Sequence, residues 1–441
     1  MKKNSAGRQL VRFSIPLILS GLLQQLYSWT DAFILGNIEG EATLAAVGAS
    51  GAVINLFVLA VTGFTAGLGI LAARYFGAGK WTELRRLLGG YGAVLVAATA
   101  LLAVCGLRAS DGLLRLMDTP DDILSLAGDY LRISLLGAPV VILYNIYAAV
   151  LRGVGNSRAP FICVAVSGGM NVLLDWLMIG GLGMGVSGAA AATVISQFAG
   201  ALMAVIYTVI KYRELRFVPS PRIFDRRVML EGTKLGVPVA ARTIVSAFGS
   251  VLLQNFMNSF GSTTVAAIST SYRVDSMLLL PVINLSVGIS TMVSQSIGAG
   301  DKVRAHSYLS HGIKLMLLVS CVLTVLICTF GGQLVAMFGV GGEAAEIGRQ
   351  FFIRLSLFYP MFAATRAING YLEGLGDVTF TGIITIASLA VRLCASYALK
   401  NALGNMVLAW AEVISWVFLL AAFLLRYIYK RKNTSPSHEV Q

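Results

Sequence analysis

Mostly apolar stretches of bilayer length recur along the whole chain, near residues 10–35, 44–73, 87–107, 126–150, 160–180, 189–210, 236–260, 264–295, 309–331, 348–371, 380–400 and 406–428. About 20 such residues cross the hydrocarbon of a membrane as an α-helix. Inside that hydrocarbon every backbone N–H and C=O needs a partner within the chain, which leaves helices and closed barrels. The runs do not alternate as barrel strands do, so a barrel is excluded. Composition agrees: 56% of residues are hydrophobic, 12% are charged and the mean hydropathy is +0.77. A soluble domain is roughly a quarter charged. The expected fold is an all-α polytopic membrane protein with twelve transmembrane helices. The start, "MKKNSAGRQLVRFSIPLILSGLL", has the basic and apolar parts of a signal peptide. No small-x-small cleavage site follows and the run continues to Leu35, so it is expected to be an uncleaved first span.

The net charge of +13 raises nucleic acid as a partner, but the placement of the charges gives a topological reason instead. With twelve spans, 24 Lys and Arg fall in or beside the loops of one side and six on the other. The poorer side leans acidic, with Glu39, Glu41, Asp111, Asp118, Asp121, Asp122, Glu343 and Glu346. Basic loops stay in the cytoplasm, so both termini are expected there, with no nucleic acid partner.

An internal repeat divides the chain. "LAAVGASGAVINLF" from Leu44 aligns with "VAAISTSYRVDSML" from Val265, "YFGAGK" ending at Lys80 with "SIGAGD" ending at Asp301, and "RGVGNS" at Arg152 with "EGLGDV" at Glu373. All three offsets are 221 residues, and Pro16 and Pro238 agree within one. Six spans per repeat is an even number, so both halves enter the membrane the same way. They are then related by a pseudo-two-fold along the membrane normal, flanking a central cleft. The expected domains are an N-lobe at 1–210, a cytoplasmic linker at 211–234, a C-lobe at 235–428 and a basic cytoplasmic tail at 429–441.

Four acidic residues fall deep in the spans: Asp31, Asp175, Asp275 and Glu412. An acid at a helix centre costs roughly 2.5–3.5 kcal/mol on insertion scales, and such residues mark functional sites by default. Asp31 sits in the outer half of the first span, among Gln24, Gln25, Tyr27, Ser28 and Thr30. Asn171 and Asp175 are four apart in the fifth span and share a face. Asn145 in the fourth span and Thr193 in the sixth add an amide and a hydroxyl. Two carboxylates, two amides and a hydroxyl suit a hard monovalent cation, or a proton shared between close carboxylates. The rival is an interhelical network that only packs the bundle.

The second half does not repeat this set. Leu252 or Leu253 matches Asp31, Ser396 matches Asp175, and Arg392 matches Asn171. Instead it carries Arg242, Arg273, Arg366 and Arg392 with Asp275 and Glu412. Arg273 and Arg392 look deep enough to need partners. The five cysteines, Cys105, Cys163, Cys321, Cys328 and Cys394, form no metal spacing, and His306, His311 and His438 form no cluster. An intramembrane enzyme therefore has no machinery here. The Gly-rich loops lack a Walker ending, so they read as tight turns and no ATPase module is present. Two unlike lobes also make no symmetric channel.

The pieces "TDAFILGN…LAAVGAS", the paired "GAG" loops, "LRGVGNSRAP", "NVLLDW" followed by "GVSGAAAAT", and the duplicated halves resemble the multidrug and toxic compound extrusion (MATE) family. The resemblance covers nearly the whole chain. It implies a secondary antiporter that exports cationic or amphipathic drugs in exchange for Na⁺ or H⁺ by alternating access between two lobes. It further implies a multi-pass protein of the bacterial inner membrane, a monomer, with small organic substrates, the lipid bilayer around it and no cofactor beyond the coupling ion. In the branch resembling the DNA-damage-inducible transporters, the ion-coupling and substrate-cavity residues fall on Asp31, Asn145, Asn171, Asp175 and Thr193, with Na⁺ a candidate at Asp31, Asn171, Asp175 and Thr193. Pro16 matches that branch's bending proline. The other large bacterial branch uses an acid in the seventh helix, which this chain lacks between Val239 and Phe260. A lipid or lipid-linked oligosaccharide flippase of the same superfamily is the alternative, kept alive by Arg273 and Arg392.

Overall fold

The structure is a computed structural model that describes residues 4–217, 221–337 and 341–433. The first three residues of "VPSPR" in the expected linker and the tail beyond residue 433 lie outside the described residues. The helices are α1 (Asn4–Glu39), α2 (Glu41–Gly77), α3 (Trp81–Leu116), α4 (Asp121–Gly153), α5 (Arg158–Asp175), α6 (Gly185–Lys211), α7 (Arg226–Asn258), α8 (Ser262–Leu278), α9 (Leu280–Gly298), α10 (Lys302–Ala336), α11 (Gly342–Ser356), α12 (Tyr359–Gly374), α13 (Val378–Leu403) and α14 (Val407–Asn433). No strand occurs among the described residues.

Ten segments are long and apolar enough to cross a membrane, and the bent pair α11 and α12 supplies one more. One of the ten, Val378–Lys432, holds two helices around the 3₁₀ turn Gly404–Met406, and these pack against each other. Every one of the twelve expected spans therefore has a helical counterpart. The outward surfaces are apolar, with Leu101, Ile210 and Leu425 each more than 60% exposed, as helices surrounded by lipid require.

Two expected spans are interrupted. The eighth breaks at Leu279 between α8 and α9, and the tenth breaks at Leu357–Phe358 with a bend of 52°. Proline is the cause in both cases, because it has no N–H to give the preceding turn. Pro281 stands where the first repeat has Ala60, and α2 runs through unbroken. Pro360 follows the second break, and the Ser356 carbonyl freed there accepts from Thr324 Oγ1 on α10 at 2.7 Å.

The repeat is visible in the backbone. Gly40 and Gly261, Gly79 and Gly300, Gly155 and Gly376, and Gly183 and Gly404 form four pairs 221 residues apart, with matching φ of 88 and 86°, 69 and 75°, 84 and 85°, and 63 and 56°. Only glycine adopts this left-handed conformation without strain. The same turn therefore ends the same helix in each half.

Two compact units result. One contains Ile15–Ala240 with Gly298–Gly300, the other Met1–Ser14, Ala241–Ile297 and Asp301–Gln441. In the first, α4 packs against α2, α3 and α6. The start of α7 belongs to this unit because Gly67 lets α2 approach the Leu235–Gly236 backbone, where a Cβ would come within 2.4 Å. Tyr75 Oη and Glu231 Oε2 (2.7 Å) and Arg86 and Asp225 (2.6 Å) fasten the same end. In the second unit Gln9 Oε1 accepts from Tyr308 Oη (2.6 Å) and Arg304 (3.0 Å), which ties the start of α1 to α10. Asp377, between α12 and α13, is paired with Arg426 at 2.8 Å and Lys430 at 3.0 Å. Burial alone would raise its carboxyl, but hydrogen bonds from those two cations hold it below the usual range.

Several buried charges of the second unit are paired, while Arg366 Nε and Arg392 Nε have no hydrogen-bond partner among the described residues. Arg392 pairs with Glu412 (2.9 Å) and donates to Tyr272 Oη (2.6 Å), while Tyr359, at the start of α12, donates to Asp275. Arg242 pairs with Glu373. Arg273 is exposed on the surface of α8. Removing one member of a buried pair strands the other and costs about 3–5 kcal/mol. Glu412→Gln should therefore lower the melting temperature of the purified protein well below that of the double replacement Arg392→Leu with Glu412→Leu. Equal losses in the two variants would mean the pair carries no coupling energy.

Candidate functional site

The first unit brings three of the candidate residues together. Asp31 lies on α1, one turn beyond Tyr27, and Asn171 and Asp175 lie at the C-terminal end of α5. The two helices approach closely because position 168 is glycine: a Cβ there would sit 3.3 Å from the Tyr27 ring. Asn171 is 2% exposed and Asp175 is fully buried. Directly after Asp175 the helix widens into a π-helical turn, Trp176–Gly181, closed by Leu182 N–H to the Leu177 carbonyl at 2.9 Å. Such widened turns are frequent at functional sites.

The Asn171 amide stands between the two acids. With its nitrogen toward Asp31, it donates to Oδ1 at 2.9 Å and Oδ2 at 3.2 Å. Its oxygen then faces Asp175 Oδ2 at 3.4 Å. The two carboxyls are themselves within hydrogen-bond reach of each other. Asp175 Oδ1 is buried and has no hydrogen-bond partner among the described residues. An amide has one donor end and one acceptor end, so it can satisfy only one carboxylate. Whichever way it turns, an acceptor faces an acceptor. A proton on one carboxyl, or a small cation among the oxygens, resolves the conflict.

The other candidates have different surroundings. Asn145 Nδ2 donates to the Val141 carbonyl at 2.8 Å, and its side chain lines a cavity of ≈ 160 Å³ rather than the acid pair. Thr193 Oγ1 donates to the Ala189 carbonyl of its own helix at 3.0 Å. Pro16 lies inside α1, two residues past the point where the helix passes from one unit to the other. Ser20 Oγ donates to the Pro16 carbonyl at 2.7 Å. Among the described residues no three His, Cys, Asp or Glu side chains gather into a metal cluster.

Tyr130 on α4 was not singled out from the sequence. It packs against Leu35, Ile179 and Ala189 and lies within electrostatic range of both Asp31 and Asp175. A tyrosine near a span end reads equally well as an interfacial anchor, so nothing in the sequence marks it.

Comparison with known proteins gives a consistent answer. The MatE family model matches twice, over residues 16–177 and 238–398. The probable multidrug resistance protein YoeA of Bacillus subtilis (strain 168) is 27% identical over 443 aligned positions, covering 98% of this chain and 96% of the relative. The multidrug export protein MepA of Staphylococcus aureus (strain MSSA476) is 24% identical, covering 100% and 97%. Among solved structures, one described as MATE in complex with MaD3S superposes with a TM-score of 0.89 at 21% identity, covering 97% of each chain.

The geometry separates the candidates by what their removal should do. Asn171→Leu removes the donor from Asp31 inside the lobe, and a buried acceptor left unpaired costs about 1–3 kcal/mol. Thr193→Val removes a hydroxyl bonded only to its own helix and should shift stability by at most about 0.5 kcal/mol. Thermal unfolding of the two purified variants checks this. Equal shifts would place Thr193 in the same polar cluster.

Proposed function

Because the chain belongs to the MatE family, we propose that it is a secondary antiporter, exporting cationic or amphipathic organic compounds in exchange for Na⁺ or H⁺. The multidrug names of YoeA and MepA support the substrate class. The observation that carries the coupling is the Asn171 amide held between Asp31 and Asp175. An arrangement with facing acceptors is incomplete without a positive charge, so ion occupancy changes how firmly α1 is tied to α5. Each ion moving down a tenfold gradient supplies about 1.4 kcal/mol, enough to bias a two-state transporter tenfold. In this reading Asp31, Asn171 and Asp175 hold the ion, and Thr193 joins them only if its hydroxyl leaves the Ala189 carbonyl. Both termini face the cytoplasm, and a single chain does the work without catalysis. The flippase alternative is weakened because Arg392 is already neutralised by Glu412.

The decisive measurement is efflux of a cationic dye from liposomes under an imposed Na⁺ or H⁺ gradient. Asp31→Asn and Asp175→Asn should each abolish gradient-driven efflux while the protein still folds. Wild-type rates in both would sink the assignment. A collapse in folded yield would make the cluster structural.

Pro16 generates a second expectation. Without an N–H it leaves the Arg12 carbonyl without its helical donor, which makes a bend in α1 inexpensive. Pro16→Ala restores a donor worth about 0.5–1.5 kcal/mol, which shifts the ratio of inward-open to outward-open states by roughly 2–13-fold. Spin labels placed one per lobe should report that shift, with slower efflux and unchanged equilibrium dye binding. An unchanged ratio with unchanged efflux would mean that α1 moves as a rigid rod.

A further inference from the structure

The second lobe contains a buried group of charges that does not balance. On α12, Arg366, Asn369 and Glu373 follow the spacing i, i+3, i+7 and share one face. Arg242 of α7 pairs with Glu373, and Asn369 Nδ2 donates to the same Glu373 oxygen at 3.0 Å. The side chains of Arg242 and Glu373 are 16% and 14% exposed, and Asn369 is 2% exposed. We propose that this cluster binds one small monovalent anion against Arg366, either chloride or the carboxylate of an organic substrate. The proposal goes beyond the antiport reading, because it involves neither the acid pair nor an ion gradient.

The first support is the charge count. Glu373 and Arg242 are the charged groups that act on Arg366. A guanidinium keeps its proton in a protein, so two positive charges share one carboxylate and one unit of positive charge is left over. Away from water an unpaired charge is costly. Arg392 in the same lobe shows the balanced alternative, with two acids, Glu412 and Asp275, in range of one guanidinium.

The second support is an unfilled donor. Arg366 Nε is buried and has no hydrogen-bond partner among the described residues, and neither has Asn369 Oδ1 one turn further on. An anion accepts from the guanidinium. A water beside it donates one hydrogen to Asn369 Oδ1 and the other to the anion, so both unfilled atoms are satisfied together. Water alone would fill the hydrogen bonds but leave the charge.

The third support is fixed placement. The Arg366 carbonyl accepts from Ser286 Oγ of α9 at 2.7 Å. A Cβ on Gly370 would come within 2.5 Å of the Ser286 carbonyl oxygen, so α12 is pressed onto α9 at this level. Arg366 therefore stays about 12 Å along the axis from the end of α12 at Gly374. The first repeat has no such set: Asn145 stands at the position of Arg366, Ala148 at that of Asn369 and Arg152 at that of Glu373.

The test is equilibrium dialysis of radiolabelled chloride with the unmodified full-length protein in detergent. Sodium gluconate, whose anion is bulky, holds the ionic strength constant. One chloride per chain should bind and be displaced by bromide. Bromide-exchanged crystals should show anomalous scattering beside Arg366. Arg366→Gln should weaken binding roughly tenfold or more, while Arg366→Lys, which keeps the charge, should retain most of it. If Arg366→Gln does not fold, Arg242→Gln removes the same unit of charge and leaves Glu373 to Arg366, so chloride should again be lost. Acetate is the competing probe. Acetate bound more tightly than chloride assigns the site to a substrate carboxylate, and the reverse order assigns it to the inorganic anion.

No saturable binding of either anion to the unmodified protein would mean that water alone faces Arg366, and overturns the proposal. Unchanged binding in Arg366→Gln would place the anion elsewhere and also overturns it. A protein that binds chloride in this way but shows no gradient-driven dye efflux would sink the antiport reading and leave the anion site standing.

Discussion

A helix surrounded by lipid can end, bend or meet another helix only where something else takes its backbone hydrogen bonds. That requirement governs the chain at every level. It makes all the long apolar runs helical, and it confines their endings to turns that close on themselves. The four pairs of left-handed glycines are those endings, repeated 221 residues apart. It also decides where spans can break. At Ser356 the hydroxyl of Thr324 accepts the role of the missing N–H. Where α5 leaves its regular register after Asp175, the π-turn supplies its own closing bond.

Within that shared backbone the two halves carry opposite chemistry. The first lobe places two carboxylates against one amide and leaves an acceptor unpaired. In the second lobe Arg392 takes the position of Asn171 and Ser396 that of Asp175, and Arg392 is neutralised by Glu412. One lobe thus sets two acids against a neutral amide, whereas the other pairs its buried arginine with an acid. The duplication supplied two similar backbones, and a handful of side chains gave them different buried chemistry.

The polar groups of the first lobe also divide by depth along the helices. Asp31, Asn171 and Asp175 form a compact knot at one end of α5, while Gln24, Ser167, Asn145 and Gln197 surround open space nearer its start. The tyrosines bridge the two, with Tyr27 on the cavity side and Tyr130 within range of both acids.

The fold was legible in the sequence because lipid leaves little choice. Twelve apolar runs and the 221-residue repeat are one-dimensional signals, and each translates directly into a helix or a duplication. Asp31 and Asp175 stood out for the same reason, since a carboxylate at membrane depth needs a partner. The breaks in the eighth and tenth spans were less visible: Pro281 and Pro360 were on the page, but Pro139 sits inside α4 without interrupting it. Whether a proline breaks a helix depends on neighbours that can take the freed carbonyl, as Thr324 does. Tertiary structure alone decided that Asn171 lies between the acids, that Thr193 spends its hydroxyl on its own helix, and that Asn145 faces a cavity. Those outcomes depend on how α1, α4, α5 and α6 rotate about their axes, and that rotation is set by close contacts such as Gly168 against Tyr27, which no periodicity along the chain encodes.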